Sequence, residues 1–137
     1  MSDILVDTNI LIYSINKDSD FYIKANTFLL NTENVLYTTS KNITEFLSVV
    51  TRIPDYKISI DKAYSIIDDF LNFIKILYPN PKSTDILKSL LLKYKPSGLQ
   101  IHDYEIVSIG LSHNIKDILT INKNDFKNIK EIDVITI

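Results

Sequence analysis

Ile4-Leu5-Val6-Asp7-Thr8-Asn9-Ile10-Leu11-Ile12 is the stretch whose reading decides the fold. Three apolar residues predict a short buried strand, an acid stops it, and apolar residues then resume at helical spacing. In an open parallel α/β sheet, ligands gather at the carboxyl ends of the strands. Asp7, with Thr8 and Asn9 beside it, is therefore placed for a metal or a phosphate. Asp is also a good helix N-cap, and on this stretch alone the cap is the commoner reading. The choice depends on the acids further along the chain.

Working outward, Phe21, Ala25, Phe28 and Leu29 have the spacing of an amphipathic helix. Residues 31–34 break the pattern ahead of a second short strand at 35–38. Ser40 is a candidate N-cap for a helix with Ile43, Phe46, Leu47 and Val50 on one face, ended by Arg52-Ile53-Pro54. The clearest stripe is Ala63, Ile66, Ile67, Phe70, Leu71 and Ile74, followed by a possible third strand at 76–78. Ile86, Leu87, Leu90, Leu91 and Tyr94 predict another helix, and Pro96-Ser97-Gly98 a turn. A helix over 101–113 and strands at 118–121 and 132–137 complete the pattern. Strands alternating with helices predict a three-layer α/β domain with a mainly parallel sheet. No linker is evident, so residues 1–137 read as one domain.

With 137 residues, such a domain buries roughly two thirds of its unfolded surface. Hydrophobic residues at 45% and charged residues at 23% exclude a disordered chain. No apolar run approaches the roughly 20 residues of a spanning helix. Met1-Ser2-Asp3 does not open a signal peptide. The absence of cysteine excludes a disulfide framework and a thiolate metal site. These features together predict a cytoplasmic protein and no membrane partner. A net charge of -2 gives no support to nucleic-acid binding through a globally basic surface. Carboxylates that attract a cation leave metal-mediated phosphate contacts open.

Four acidic positions stand out. At 100° per residue, Asp103 projects onto the face of Ile106, Val107, Gly110 and Leu111, where a carboxylate is costly unless paired or metal-bound. A first-turn helix charge is its competing role. Glu105 projects to the far side and reads as a solvated acid. Asp125 follows the strand at 118–121 within Thr120-Ile121-Asn122-Lys123-Asn124-Asp125-Phe126, with Asn122 as a neutral oxygen donor; alone it would be a capped loop. Glu45 lies well away from its helix's apolar stripe and reads as an exposed acid unless that helix rims a cleft. His102 and His113 read as surface residues. Carboxylates gathered at strand ends suit Mg²⁺ or Mn²⁺, which bind through a few carboxylates, waters and substrate phosphates.

The order of these motifs resembles a PIN domain, and within that group the VapC ribonuclease toxins of toxin–antitoxin pairs. The matching stretches are Asp7-Thr8-Asn9-Ile10-Leu11, Thr44-Glu45-Phe46, Ile101-His102-Asp103 and the segment from Thr120 to Phe126. The resemblance implies a PIN fold and a Mg²⁺- or Mn²⁺-dependent endoribonuclease. It also implies a catalytic quartet of Asp7, Glu45, Asp103 and Asp125, with Asp7, Asp103 and Asp125 holding metal. Asn9, Thr120 and Asn122 match its supporting polar positions. An RNA substrate, a homodimer and a cognate antitoxin that blocks the active-site groove are further implications. One departure is Tyr104, where the family usually has a small residue after the third acid, so its bulk bears on the shape of the cleft.

Rival classes fare less well. A haloacid-dehalogenase-type phosphatase needs a second Asp two residues after the first, where this chain has Asn9. A receiver domain needs an acidic pair at its first strand and a Lys ending a later one, and that set cannot be placed. The alternative from another class is a non-catalytic PIN-like module that binds RNA or protein.

Overall fold

In the computed structural model, which describes residues 2–137, strand β1 (Ser2–Val6) leads into helices α1 (Thr8–Ser14) and α2 (Tyr22–Leu29). Strand β2 (Asn34–Thr39) follows, then α3 (Ser40–Arg52), α4 (Ile60–Phe70) and β3 (Ile74–Leu77). Next come α5 (Pro81–Tyr94), α6 (Gln100–Leu111), β4 (Asp117–Leu119), a 3-10 turn at Lys123–Asp125 and β5 (Asp133–Ile135). Met1, part of the N-terminal segment read above, lies outside the described residues.

The described residues build a five-stranded sheet of order β3-β2-β1-β4-β5, and every pairing is parallel. The predicted three-layer α/β architecture is therefore the one observed. Strand β1 shows why its sequence is apolar throughout. Ile4 and Val6 join one core with residues of α1–α4, while Leu5 joins a second core with residues of α5 and α6. A strand covered on both faces reads as a continuous apolar run. Each such side chain contributes roughly 1.5–3 kcal/mol by leaving water. Gly110 lets α6 approach β1 closely: a Cβ there would sit 3.0 Å from the Leu5 Cδ2 and 3.3 Å from the Ile115 carbonyl.

The register of the sheet creates the site. The chain runs outward from β1 through β2 to β3, then crosses back to place β4 and β5 on the other side of β1. The switch in direction falls between β1 and β4, and a crevice outside the strand ends at that point is the favoured ligand position.

Several boundaries differ from the pattern reading, for physical reasons. Ile74 belongs to β3, paired with Leu36, rather than to the α4 stripe. The chain tightens over Leu71–Phe73 through short-range bonds such as Phe73 N–H to the Phe70 carbonyl. A buried strand residue thus falls by coincidence at helical spacing. Helix α3 is capped by Thr39, one residue before the predicted Ser40: its hydroxyl accepts from the Asn42 N–H while the Asn42 side chain accepts from the Thr39 N–H. Among the described residues no helix is long and apolar enough to cross a membrane.

Candidate active site

Asp7 sits where β1 ends and α1 begins, and it is both the cap and a member of the acidic group. Its Oδ1 accepts from the Thr8 N–H at 2.9 Å, and its Oδ2 accepts from the Thr120 hydroxyl at 2.8 Å. The two competing readings of Asp7 are therefore satisfied by its two oxygens. Thr120, just past β4, is fully buried. It also accepts from Asn9 Nδ2 at 3.2 Å and from the Asn122 N–H at 3.0 Å. Asn9 Oδ1 in turn accepts from the Ile121 N–H at 3.3 Å. Asn9 and Thr120 thus bolt the ends of β1 and β4 together. The Asn122 side chain is exposed, and it is the backbone of Asn122 that joins this network.

Glu45 arrives from α3. Its Oε2 accepts from the Thr8 hydroxyl at 3.1 Å, and Thr8 accepts from the fully buried Asn42 Nδ2 at 2.9 Å. A buried amide is costly unless its donors and acceptors are used, and here it serves both the α3 cap and Thr8. Asn42 is a site residue that the sequence reading passed over. The available signal was the Thr39-x-x-Asn42 spacing of a capping box.

Glu45, Asp103 and Asp125 line a cleft of about 650 Å³, walled by α3 on one side and by the start of α6 on the other. Asp7 is not part of the lining and is only 8% exposed. Burial pushes its carboxyl up to about 6, against the hydrogen bonds from Thr120 and Thr8, with the charges of Glu45 and Asp125 adding to the rise. Burial also pushes Asp103 up to about 7, helped by the charges of Asp125, Asp7 and Glu45. The neighbouring acids are therefore close enough to act on Asp7 and Asp103. Perturbation by burial plus neighbouring charge, in a cleft, is a mark of a functional site.

The surroundings of α6 differ from the one-sided face expected of it. Residues Tyr104 and Ile106 to Gly110 are all buried, because the sheet lies on one side and α5 packs on another. Glu105 is half-buried rather than solvated, and it pairs with Lys41 of α3 at 3.5 Å. Tyr104 does not reach the cleft. At 2% exposure it belongs to the core under α5, its ring 6.0 Å from that of Tyr94. Its bulk fills the domain interior and leaves the cleft shape alone. His102 is exposed at the cleft wall, and His113 is exposed past the end of α6.

Among the described residues, no three His, Cys, Asp or Glu side chains form a ready-made metal cage. Mg²⁺ does not need one, since it keeps several waters and binds through one or two carboxylates. The donor chemistry fits: carboxylates raised by crowding and burial are relieved by a cation, and hard divalent ions favour oxygen.

No curated protein matches the chain in sequence. Several solved structures share its fold. A chain of a VapBC complex from Rickettsia felis, bound to a fragment of promoter DNA, is 24% identical over 98% of each chain, with a TM-score of 0.76. VapBC from nontypeable Haemophilus influenzae is 20% identical over 98% of this chain and 97% of its own, with a TM-score of 0.74. A sarcin–ricin-loop-cleaving VapC toxin of Mycobacterium tuberculosis is 11% identical over 91% and 94%, with a TM-score of 0.71. The family model described as PIN domain matches residues 4–132. Since that match takes in four of the five strands and both helical layers, the protein belongs to the PIN-domain family.

Proposed function

We propose that this protein is a Mg²⁺- or Mn²⁺-dependent endoribonuclease and the toxin half of a toxin–antitoxin pair. The observation that carries the reading is the gathering of Glu45, Asp103 and Asp125 around one cleft at the β1–β4 switch point, with the buried Asp7 tied to Glu45's partner Thr8. Fold likeness to toxin–antitoxin structures supports the second half. Asp7, Asp103 and Asp125 would hold the ion, with Glu45 beside them. When bound, the ion would supply positive charge for a phosphodiester under attack and a more acidic water.

The chain's own contribution is placement. Thr120 and the Thr8 N–H each hold one oxygen of Asp7. Thr8 fixes Glu45 by one oxygen, and its other, Oε1, is outside that bond. Phe126, fully buried, anchors the turn that presents Asp125 at the surface. Asp103, raised to about 7 by burial and by the neighbouring acids, takes up a proton far more readily than an open carboxyl does.

A mixed RNA pool incubated with the purified protein should be cut when Mn²⁺ is present and stay intact in EDTA. Intact RNA under both conditions, from folded protein, would favour the non-catalytic binding module. The partner is expected to be a small protein that covers the cleft, with an Arg or Lys reaching the carboxylates. Purification from the native host should bring down a short second chain, with the PIN protein as a homodimer; a free monomer at native levels would count against both.

A further inference from the structure

The exposed face of α3 carries a pattern that the acidic site does not use. Lys41, Glu45, Ser48 and Arg52 recur at intervals of four, three and four residues, which puts them on one stripe. All four line the cleft, opposite the buried Ile43, Phe46 and Val50. The two cations therefore bracket Glu45, roughly 16 Å apart along the helix axis.

Neither position is explained fully by the stability of α3. Arg52 in the last turn suits the helix dipole, but its exposed side chain also lines the cleft. Lys41 lies in the first turn, where a positive charge opposes the dipole. Its one ion pair, to Glu105 of α6, is 3.5 Å long and partly open to solvent, so it contributes little. An acidic cleft alone repels a polyanion, and cations on its wall offset that repulsion. Across from α3 the wall is capped by Leu99, which is 85% exposed at the start of α6. A large apolar side chain held in water at the mouth of the cleft, whose lining also includes Val49 and Ile106, offers a base an apolar surface to cover.

From this placement we infer that the α3 stripe is the track for the RNA backbone, with Lys41 and Arg52 contacting phosphates on opposite sides of Glu45. The inference takes its ligand from the nuclease reading. Glu105 lies 3.5 Å from Lys41 and competes weakly with a phosphate for it.

The test is fluorescence anisotropy of a labelled, unstructured RNA oligonucleotide over a salt series in EDTA. The proteins are the full chain and its Lys41→Gln, Arg52→Gln, double and Glu105→Gln variants. Each lost phosphate contact should reduce the slope of log affinity against log salt by about 0.7, and the double variant should lose about twice that. Glu105→Gln, which frees Lys41, should bind more tightly than the unmodified protein. With Mn²⁺, the double variant should raise KM while kcat stays within about twofold. An unchanged salt slope in the double variant, or no RNA affinity in the unmodified protein, would overturn the inference. So would an acidic peptide binding this face with RNA excluded. Failure of the nuclease reading has a separate signature: RNA bound through this stripe yet left uncut in Mn²⁺.

Discussion

Replacing Asp103 by Asn is expected to reduce Mn²⁺-dependent RNA cleavage by about 10²-fold or more, the scale of losing a preorganised electrostatic group. The substitution keeps the shape of the side chain, removes the charge and replaces one oxygen ligand by an amide nitrogen that cannot bind a cation. Asp103 stands in the first turn of α6, at the cleft, raised by burial and by three neighbouring acids. An ion bound there has to displace the proton that Asp103 carries near neutrality. Mn²⁺ affinity in the unmodified protein should therefore rise as pH increases through about 7, with proton release seen by calorimetry in two buffers. Asp103→Asn should bind Mn²⁺ weakly at every pH. The control is Asp68→Asn on the exposed side of α4, which should hold activity and shift stability by no more than about 0.5 kcal/mol. Full cleavage by folded Asp103→Asn protein would remove the site from the mechanism.

The second large effect is on stability, and its sign is opposite to that of most substitutions at a buried residue. Asp7 has a folded-state value of about 6 against 3.8 for an unhindered carboxyl, so the folded protein binds its proton more tightly than the unfolded chain. That difference stabilises the metal-free fold fully below pH 3.8 and is lost as pH rises through about 6. Its size for this one residue is about 3 kcal/mol. Asp7→Asn removes the dependence, because Asn stays neutral and its one oxygen keeps the cap, while the lost bond from Thr120 offsets about 1 kcal/mol of the gain. Urea unfolding in EDTA should therefore find the variant more stable than the unmodified protein at pH 7.5, and the gap should close by pH 4. Parallel pH profiles for the two proteins would show that burial does not charge this penalty to Asp7.

The sheet and its layers were legible because both faces of β1 are covered, which leaves an uninterrupted apolar run that periodicity detects. Asp7 was legible as an acid at a strand end, but not as a residue whose two oxygens do two tasks, since Thr120 lies at the end of another strand. The projection of α3 placed Glu45 away from the core, and it is exposed; whether an exposed acid meets others depends on tertiary placement. The cleft wall at Lys41, Arg52 and Leu99 was invisible for the same reason. Each residue looks like ordinary surface until α3 and α6 are set across from one another. Helix α6 misled in a different way. A helix buried on several sides has no single stripe, so a face drawn from four residues missed Tyr104 and misjudged Glu105.

The bond between Asp7 and Thr120 also has a consequence in time. It joins residues 113 positions apart. At a synthesis rate of about 5–20 residues per second, Asp7 leaves the ribosome roughly 6 to 23 s before Thr120 does. Strands β1, β2 and β3 are adjacent in the sheet and can associate during that interval. Asp103 and Asp125 do not yet exist when Asp7 emerges, and Asp7 has no partner for its second oxygen. A growing chain therefore lacks the complete acidic group until the segment from Thr120 to Asp125 has emerged.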